Sequence, residues 1–353
     1  MADNKRIFIK GNEAISRGAL AAGLKCYFGY PITPQNDIPE FLSTELPAVG
    51  GEFVQAESEV ASANMLLGAA SGGVRAMTTS SSPGISLMQE AISYMAGSDL
   101  PGVIVNINRG GPGLGDIGSS QGDYFQSTRG GGHGDYRTIV LAPGTCQEGY
   151  DMMIEAFDLA FKYRNPVLVL GDAIVGQMKE PVTPWTPEKI NNYGVEDWCL
   201  SGAVNREKRL LKSLFLEDGA LAEQNIRLQQ KYEALQSEAR ADVFACDDAE
   251  LVVVAYGSIG RIVKSSIRRL RAEGHKVGLV RPLTLYPFPA KVLEDLAKAG
   301  KKFLTIEHNC GQMVEDVRLS IRKYGDSDFH GHMPGNLPGS DDFVEPILAR
   351  LGR

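Results

Sequence analysis

No apolar run in the 353 residues is long enough to span a bilayer. The first ten residues, Met1 to Lys10, hold no apolar core of the kind a secretion signal carries, so the expected location is the cytoplasm. There is no basic excess. The net charge of −7 argues against a nucleic-acid or anionic-membrane partner. Cysteine is scarce and scattered: Cys26, Cys146, Cys199, Cys246 and Cys310 form no C-x-x-C pair. That excludes the clustered ligands of an iron–sulfur or zinc site and does not suit a disulfide framework. Only His330 and His332 lie close together, in a Pro/Gly-rich tail, and no metal site is read there. No repeat relates the two halves of the chain.

What is present reads as a globular enzyme. Hydrophobic residues make up 43% and charged residues 22%, an ordinary balance for a packed core with a wet surface. The length exceeds the ~250–300 residues at which a single core stops growing, so two domains are expected. Short apolar runs at Lys25–Gly29, Glu52–Val54, Val74–Thr78, Val103–Asn108, Thr138–Leu141 and Val167–Leu170 read as strands. Helical patterns at Asn12–Ala22, Ser58–Ala70 and Ile85–Ala96 separate them, and Thr145–Glu148 reads as a capping box opening a helix to Tyr163. This alternation predicts a doubly wound, mostly parallel α/β sheet covered on both faces.

Residues 180–198 are Pro-rich and polar, which predicts a linker or an arm over the surface. From Asn205 to Arg240 a charged helix is expected, with Leu214, Leu221, Leu228 and Leu235 at heptad spacing and Tyr232 filling in. It either touches a partner subunit as a coiled coil or packs across its own chain. The pattern then restarts. Strands are expected at Leu251–Ala255, Lys276–Val280 and Phe303–Ile306, and helices at Ile259–Arg271, Ala290–Lys298 and Gln312–Arg322. The resulting division is 1–198, a helical linker 199–241, and 242–353.

Three places in the first half point to chemistry. In Tyr30-Pro31-Ile32-Thr33-Pro34, two prolines stiffen the corner leading off a strand and leave a hydroxyl and helix amides facing outward. Either Thr33 caps a helix with Pro34 in first place, or the helix starts near Asn36 or Asp37 with Pro39 in its first turn. Glu59 opens an Ala-rich helix and lines up with Ala63, Leu66 and Ala70, so its carboxyl belongs to a packed face. A first-turn glutamate favouring the helix dipole explains it equally well. Arg109 ends a strand where α/β sheets bind ligands, and its planar fork suits a carboxylate. A structural ion pair with Asp116 or Asp123 is the plainer explanation. Arg109 also opens a long Gly-rich loop, Gly110 to Gly134, in which His133 and Asp135 are further pocket candidates. The G-x-G-x-x-G at Gly113–Gly118 is not expected to bind a dinucleotide, because it neither leaves a first strand directly nor enters a helix. Thr78 to Gly84, with four hydroxyl residues before Ser82, reads mainly as a helix cap.

Taken in order, Tyr-Pro-Ile-Thr-Pro, then Glu57-Ser58-Glu59, then the Thr/Ser turn, then Asn108-Arg109-Gly-Gly-Pro-Gly-Leu-Gly115 resembles one family across nearly the whole chain. It is similar to the alpha subunit (KorA or VorB type) of 2-oxoacid:ferredoxin oxidoreductases. The resemblance implies a thiamine diphosphate pyrimidine-binding domain followed by a transketolase C-terminal-like α/β domain, the latter from Ala255-Tyr-Gly-Ser-Ile-Gly260 through Arg281 to Pro289. It implies CoA-dependent oxidative decarboxylation of a 2-oxoacid to acyl-CoA, carbon dioxide and reduced ferredoxin. By the same resemblance Glu59 sets its carboxyl at the pyrimidine N1′. Thr33, Arg109, Tyr30 and Ile32 meet the substrate, and Pro34, Ser81 and Ser82 touch the cofactor. The loop Arg109–Asp123 is most similar to subunits for branched-chain 2-oxoacids and differs from the Ser-Thr-Gly form of 2-oxoglutarate enzymes.

One motif is missing. Gly171-Asp172-Ala173 followed by Asn191-Asn192 imitates the Gly-Asp-Gly and Asn-Asn that hold the diphosphate through Mg²⁺, but Ala173 breaks it. The resemblance therefore assigns the Mg²⁺ site and a 4Fe–4S cluster to a beta subunit, with gamma and ferredoxin-like delta subunits completing the assembly. Competing readings are an E1 beta-type subunit of a lipoamide-dependent dehydrogenase complex, a non-catalytic scaffold subunit, and an NAD-dependent dehydrogenase using Gly113–Gly118.

Overall fold

The computed structural model describes residues 5–352. Met1–Asn4, the start of the stretch read for a secretion signal, lie outside the described residues. The first half runs β1 (Ile7–Lys10), α1 (Gly11–Ala21), β2 (Cys26–Gly29), α2 (Asp37–Ala48), β3 (Glu52–Gln55), α3 (Glu59–Ser71), β4 (Ala76–Ser80), α4 (Ser82–Gly97) and β5 (Gly102–Asn108). It continues through α5 (Tyr124–Arg129), β6 (Ile139–Leu141), α6 (Cys146–Tyr163), β7 (Pro166–Asp172), α7 (Ala173–Gln177), β8 (Lys179–Val182), α8 (Val195–Trp198) and α9 (Ala220–Leu235). The second half holds β9 (Ala241–Phe244), β10 (Leu251–Val254), α10 (Gly257–Ala272), β11 (Val277–Pro282), β12 (Thr284–Tyr286) and α11 (Ala290–Lys298). β13 (Lys302–Glu307), α12 (Met313–Ile321), β14 (Ser327–Gly331) and α13 (Val344–Leu351) close the chain.

Two main sheets result. The first has seven strands in the order β12-β6-β7-β5-β4-β2-β3, parallel except for β12, which runs against β6. Strands β4 to β7 are buried along their whole length, which accounts for their unbroken apolar runs. The second sheet, β14-β13-β10-β11-β9, is parallel apart from β9. In the first sheet the chain steps from β2 to β3 on one flank and then crosses to β4 on the other. Strand order therefore reverses at β2, and a crevice opens at the carboxyl ends there.

The sequence expectations for the central strands and for α6 and α11 agree with the structure. The capping box does not. Thr145 Oγ1 accepts from the Glu148 amide at 3.1 Å, but the Glu148 carboxylate turns to the Gly144 amide and to Arg281 on β11. A charge-assisted bond across the domains outcompetes the local one. The 205–240 helix shrinks to α9, which begins after Gly219 at φ +78. Leu214 lies outside it and is 67% exposed, and Leu221 is exposed too, while Leu228, Tyr232 and Leu235 are buried against the first domain. Asp99 pins α9 through Lys231 (2.8 Å) and Arg227. Residues 179–182, at the start of the stretch read as an arm, form β8 and pair antiparallel with β1. The rest of that stretch does lie over α6, where Tyr150 Oη donates to the Trp185 carbonyl at 2.6 Å.

The two sheets are tied together. β12 leaves the second half to join the first sheet beside β6. Gln121 donates to the Tyr256 carbonyl and accepts from the His308 amide. Tyr124 Oη donates to Asp316 Oδ2 at 2.5 Å, and Arg129 pairs with the same carboxylate at 2.7 Å. Ser258 donates to Asp172, the residue in the broken diphosphate motif, whose other oxygen caps α7.

Candidate active site

β3, β2, β4 and β5 are consecutive neighbours in the sheet. The loops leaving their carboxyl ends carry Glu59, Tyr30–Pro34, Ser81–Gly84 and Arg109. The sheet order thus brings four distant stretches to one edge. The first corner is fixed from below. Asn12 and Gln177 both donate to the Pro34 carbonyl, at 2.9 and 3.0 Å. Buried Gln35 accepts from Thr79 Oγ1 at 2.6 Å and donates to the Tyr30 carbonyl. The helix starts at Asp37 with Pro39 in its first turn, so Thr33 is not its cap. Burial raises the Asp37 carboxyl, but hydrogen bonds from Lys10, Asn12 and Gln177 outweigh it and hold the pKa below the ordinary value. Tyr30, Pro31 and Thr33 remain solvent-facing, with Ile32 half-buried between them.

Arg109 is almost fully buried, at 8% exposure. Among the described residues no carboxylate holds it. Nη1 donates to the Thr33 carbonyl at 3.0 Å and Nη2 to the Leu114 carbonyl at 3.3 Å, while Nε has no partner. The structure therefore joins Arg109 to the Tyr30–Pro34 corner directly and sets aside an ion pair with Asp116 or Asp123. The Gly-rich loop folds back on itself: the Asp116 amide donates to the Gly110 carbonyl, and the Gly110 amide to Gly118. Gly115 sits at φ +58, and a side chain there would strike the Gly110 carbonyl at 1.8 Å. This closed turn, with no helix behind it, is why Gly113–Gly118 lacks the form of a dinucleotide fingerprint. Leu114 and Ile117 are exposed at its tip. His133 and Asp135 are exposed and meet neighbouring side chains only through their carbonyls, His133 with Ser93 and Asp135 with Gln229.

Glu59 is buried at the first helical position of α3, behind the Ser58 cap. Its carboxyl has no hydrogen-bond partner among the described residues. It packs on Gly84 in the first turn of α4, where an added Cβ would lie 2.8 Å from Glu59 Oε1 and 2.0 Å from Ser80 Oγ. Ser80 Oγ beside it is buried without a partner, as are Thr78 Oγ1 on β4 and Ser81 Oγ in the turn that follows. Both side-chain polar atoms of Asn108, at the end of β5 near Asp172 and Tyr256, are likewise without partners. Unsatisfied buried polar atoms are costly, and the hydroxyls beside Glu59 mark a place for a polar ligand. The Thr/Ser turn was expected mainly to cap α4, yet the Ser81 side chain does not cap it; the first helical amide, that of Ser82, is met instead by Asn106 on β5.

Sequence reasoning did not single out the network beneath Arg109. Ser82 Oγ accepts from the Arg109 amide at 3.0 Å and donates to its carbonyl at 3.3 Å. The Ser82 amide donates to Asn106 Oδ1 at 3.1 Å, and Asn106 Nδ2 donates to Asp123 Oδ2 at 2.8 Å. Burial pushes the Asp123 pKa up, against the lowering effect of Ser82 and Asn106. The available signal was Asn106 itself, a polar residue inside a fully buried strand. Among the described residues no cluster of His, Cys, Asp and Glu is arranged to hold a metal ion, and no helix is long and apolar enough to cross a membrane.

A doubly wound α/β domain with a buried carboxyl at the carboxyl ends of its strands, tied to a second α/β domain, defines the architecture. Residues 17–255 match the family model "Pyruvate flavodoxin/ferredoxin oxidoreductase, thiamine diP-bdg", and residues 249–343 match "Pyruvate:ferredoxin oxidoreductase core domain II". The chain is 48% identical over 345 residues to ketoisovalerate oxidoreductase subunit VorB of Methanothermobacter thermautotrophicus, covering 98% of this chain and 97% of that one. It is 38% identical over 364 residues to 2-oxoglutarate synthase subunit KorA of Methanocaldococcus jannaschii, covering 97% and 99%. The solved structure of 2-oxoglutarate:ferredoxin oxidoreductase from Magnetococcus marinus, with 2-oxoglutarate, coenzyme A and succinyl-CoA bound, superposes with a TM-score of 0.86 at 26% identity. That match covers 98% of this chain and 65% of the other. A split-gene transketolase shares the fold at a TM-score of 0.58 and 13% identity, over 98% of both chains. The chain belongs to the 2-oxoacid:ferredoxin oxidoreductase family, as a subunit of the VorB/KorA type.

Proposed function

We propose that this chain supplies the pyrimidine-binding half of a thiamine diphosphate site and that its assembly oxidises a branched-chain 2-oxoacid to the acyl-CoA. The observation that carries this reading is the shared crevice: Glu59, the Tyr30–Pro34 corner, the Ser81–Gly84 turn and Arg109 meet at the carboxyl ends of β3, β2, β4 and β5. Thiamine diphosphate supplies the electron sink for breaking the bond between carboxylate and carbonyl carbon. The unpartnered carboxyl of Glu59, on a buried residue packed against Gly84, suits a hydrogen bond to the pyrimidine N1′. Pro34, Ser81 and Ser82 border the same space. Arg109 and Thr33 offer donors for the substrate carboxylate and keto oxygen, with Tyr30 and Ile32 beside them, and the stiff corner preorganises them.

Charge arithmetic supports the substrate class. A dicarboxylate needs a further cation, and among the described residues Arg109 is the one buried cation at this crevice. Leu114 and Ile117 on its loop offer an apolar surface instead. The higher identity to the ketoisovalerate subunit points the same way. 2-Oxoglutarate is the second reading, because the solved relative holds it. The diphosphate side, with Mg²⁺ and a 4Fe–4S cluster, belongs in this reading to a beta subunit; gamma and ferredoxin-like delta subunits, free ferredoxin and a cytoplasmic setting complete it. Division of the chain at 198 and 241 is part of the same reading.

The test uses the complex purified with its native partner chains. With CoA and a low-potential acceptor it is expected to turn over 2-oxoisovalerate faster than 2-oxoglutarate, and Glu59→Ala to lose ~10²–10⁴-fold in turnover, about 3–5 kcal/mol. Wild-type turnover in that variant, or reduction of lipoamide rather than ferredoxin, refutes the assignment.

A further inference from the structure

A cleft of about 470 Å³ opens between the two halves of the molecule, beside the crevice described above. One wall is Ser82, Pro83 and the glycines Gly110 to Gly113; the other is the loop after β13, with Asn309 and Cys310. Its size suits a narrow, flexible ligand arm, and it adjoins Arg109 through Gly110 and Ser82. Asp123 lines it and is the one carboxyl among the described lining residues. Asn106 holds Asp123 Oδ2 at 2.8 Å, which fixes the group without neutralising it.

The reaction assigned above has one proton to dispose of. A 2-oxoacid anion, a CoA thiol and two oxidised one-electron acceptors give the thioester, carbon dioxide, two reduced acceptors and one proton. The S–H bond breaks and the sulfur pair forms the S–C bond. The bond to the departing carboxyl group breaks, and its electron pair goes singly to the two acceptors. We propose that Asp123 is the catalytic base that takes the thiol proton in this cleft. This rests on the functional reading above. Burial raises the carboxyl's proton affinity, which favours a base that must receive a proton from a thiol. Cys310 is the only other titratable side chain lining the cleft among the described residues, and it is an exposed thiol.

Asp123→Asn in the assembled complex keeps an oxygen for the Asn106 bond and removes the base. CoA-dependent turnover is expected to fall at least ~100-fold. CoA affinity by calorimetry, and the CoA-free reduction of a viologen dye by the 2-oxoacid, are expected to stay within threefold of wild type. Turnover that also stays within threefold overturns the proposal. A parallel fall in the CoA-free reduction overturns it as well, because Asp123 would then act only by holding Asn106, Ser82 and Arg109 in place. Failure of the wild-type complex to reduce the dye with any 2-oxoacid refutes the functional reading itself and is distinct from either result.

Discussion

Alanine at position 84 would put a methyl group against the carboxyl on which the proposed cofactor site depends. The added Cβ would lie 2.0 Å from Ser80 Oγ and 2.8 Å from Glu59 Cγ and Oε1. Backbone conformation does not demand glycine here, since Gly84 lies in the first turn of α4 without a positive φ. By propensity alone alanine would stabilise the helix by ~0.5–1 kcal/mol. The Ser80 hydroxyl has no partner and can rotate away. Glu59 is buried, and its Cγ would have to retreat by roughly 0.6 Å to reach the 3.4 Å of ordinary contact. Overpacking of this kind costs ~1–3 kcal/mol, which leaves a net destabilisation of about 0–2.5 kcal/mol. The effect on function is expected to be larger than the effect on stability. A displacement approaching 1 Å at a reacting group costs ~10²-fold in rate. The assay is 2-oxoacid-dependent acceptor reduction by the purified complex, with thermal melting followed by circular dichroism on the same sample. Near-normal melting with turnover down about 100-fold supports the argument. A folded variant turning over at the wild-type rate would refute it, because Glu59 would then need neither its place nor its contact with Gly84.

Two further predictions concern stability. Asp99→Asn leaves Lys231, at 13% side-chain exposure, without its anion, and should cost ~3 kcal/mol or more in urea unfolding; a loss under 1 kcal/mol rejects the anchoring role of this pair. Burial alone would raise the Asp99 pKa, but Lys231 and Arg227 outweigh it and lower it from 3.8. Its stabilisation is therefore complete above about pH 3.8 and is lost as pH falls through the lower folded value. His308 works in the opposite sense. Burial, then the neighbouring His332, push its pKa down from 6.5 to about 4, so the unfolded chain takes up the proton first. Stability should fall as pH drops from about 6.5 toward 4, and His308→Gln should flatten that limb in a pH series of melts. An unchanged slope in the variant removes His308 as the cause.

Much of the fold was legible because local pattern carries it. Buried parallel strands need unbroken apolar runs, and Val103–Asn108 and Val167–Leu170 announce themselves that way. Edge strands do not. β1 and β8 are short and bury only Ile9 and Val182 respectively, and Ile7 finds Val182 only across most of the first domain. The leucine heptad from Leu214 to Leu235 shows the limit of periodicity. It marks residues able to pack, but which of them are covered was decided by Gly219 and by the pull of Asp99 on Arg227 and Lys231.

For the site, the sequence alone named Glu59, Arg109 and the Tyr30–Pro34 corner, because a carboxyl on a packed face and a guanidinium at a strand end are locally expensive and need a reason. Only the tertiary structure decided that they are neighbours. Their adjacency comes from the sheet order β5-β4-β2-β3, and strand order is set by long-range pairing rather than by anything local to each strand. The same holds for the partners of Arg109, which are the Thr33 and Leu114 carbonyls rather than Asp116 or Asp123. Asp123, held by Asn106 rather than by Arg109, lines the cleft between the two halves, and that cleft is a product of the contacts that bind the second half of the chain to the first, β12 and Gln121 among them.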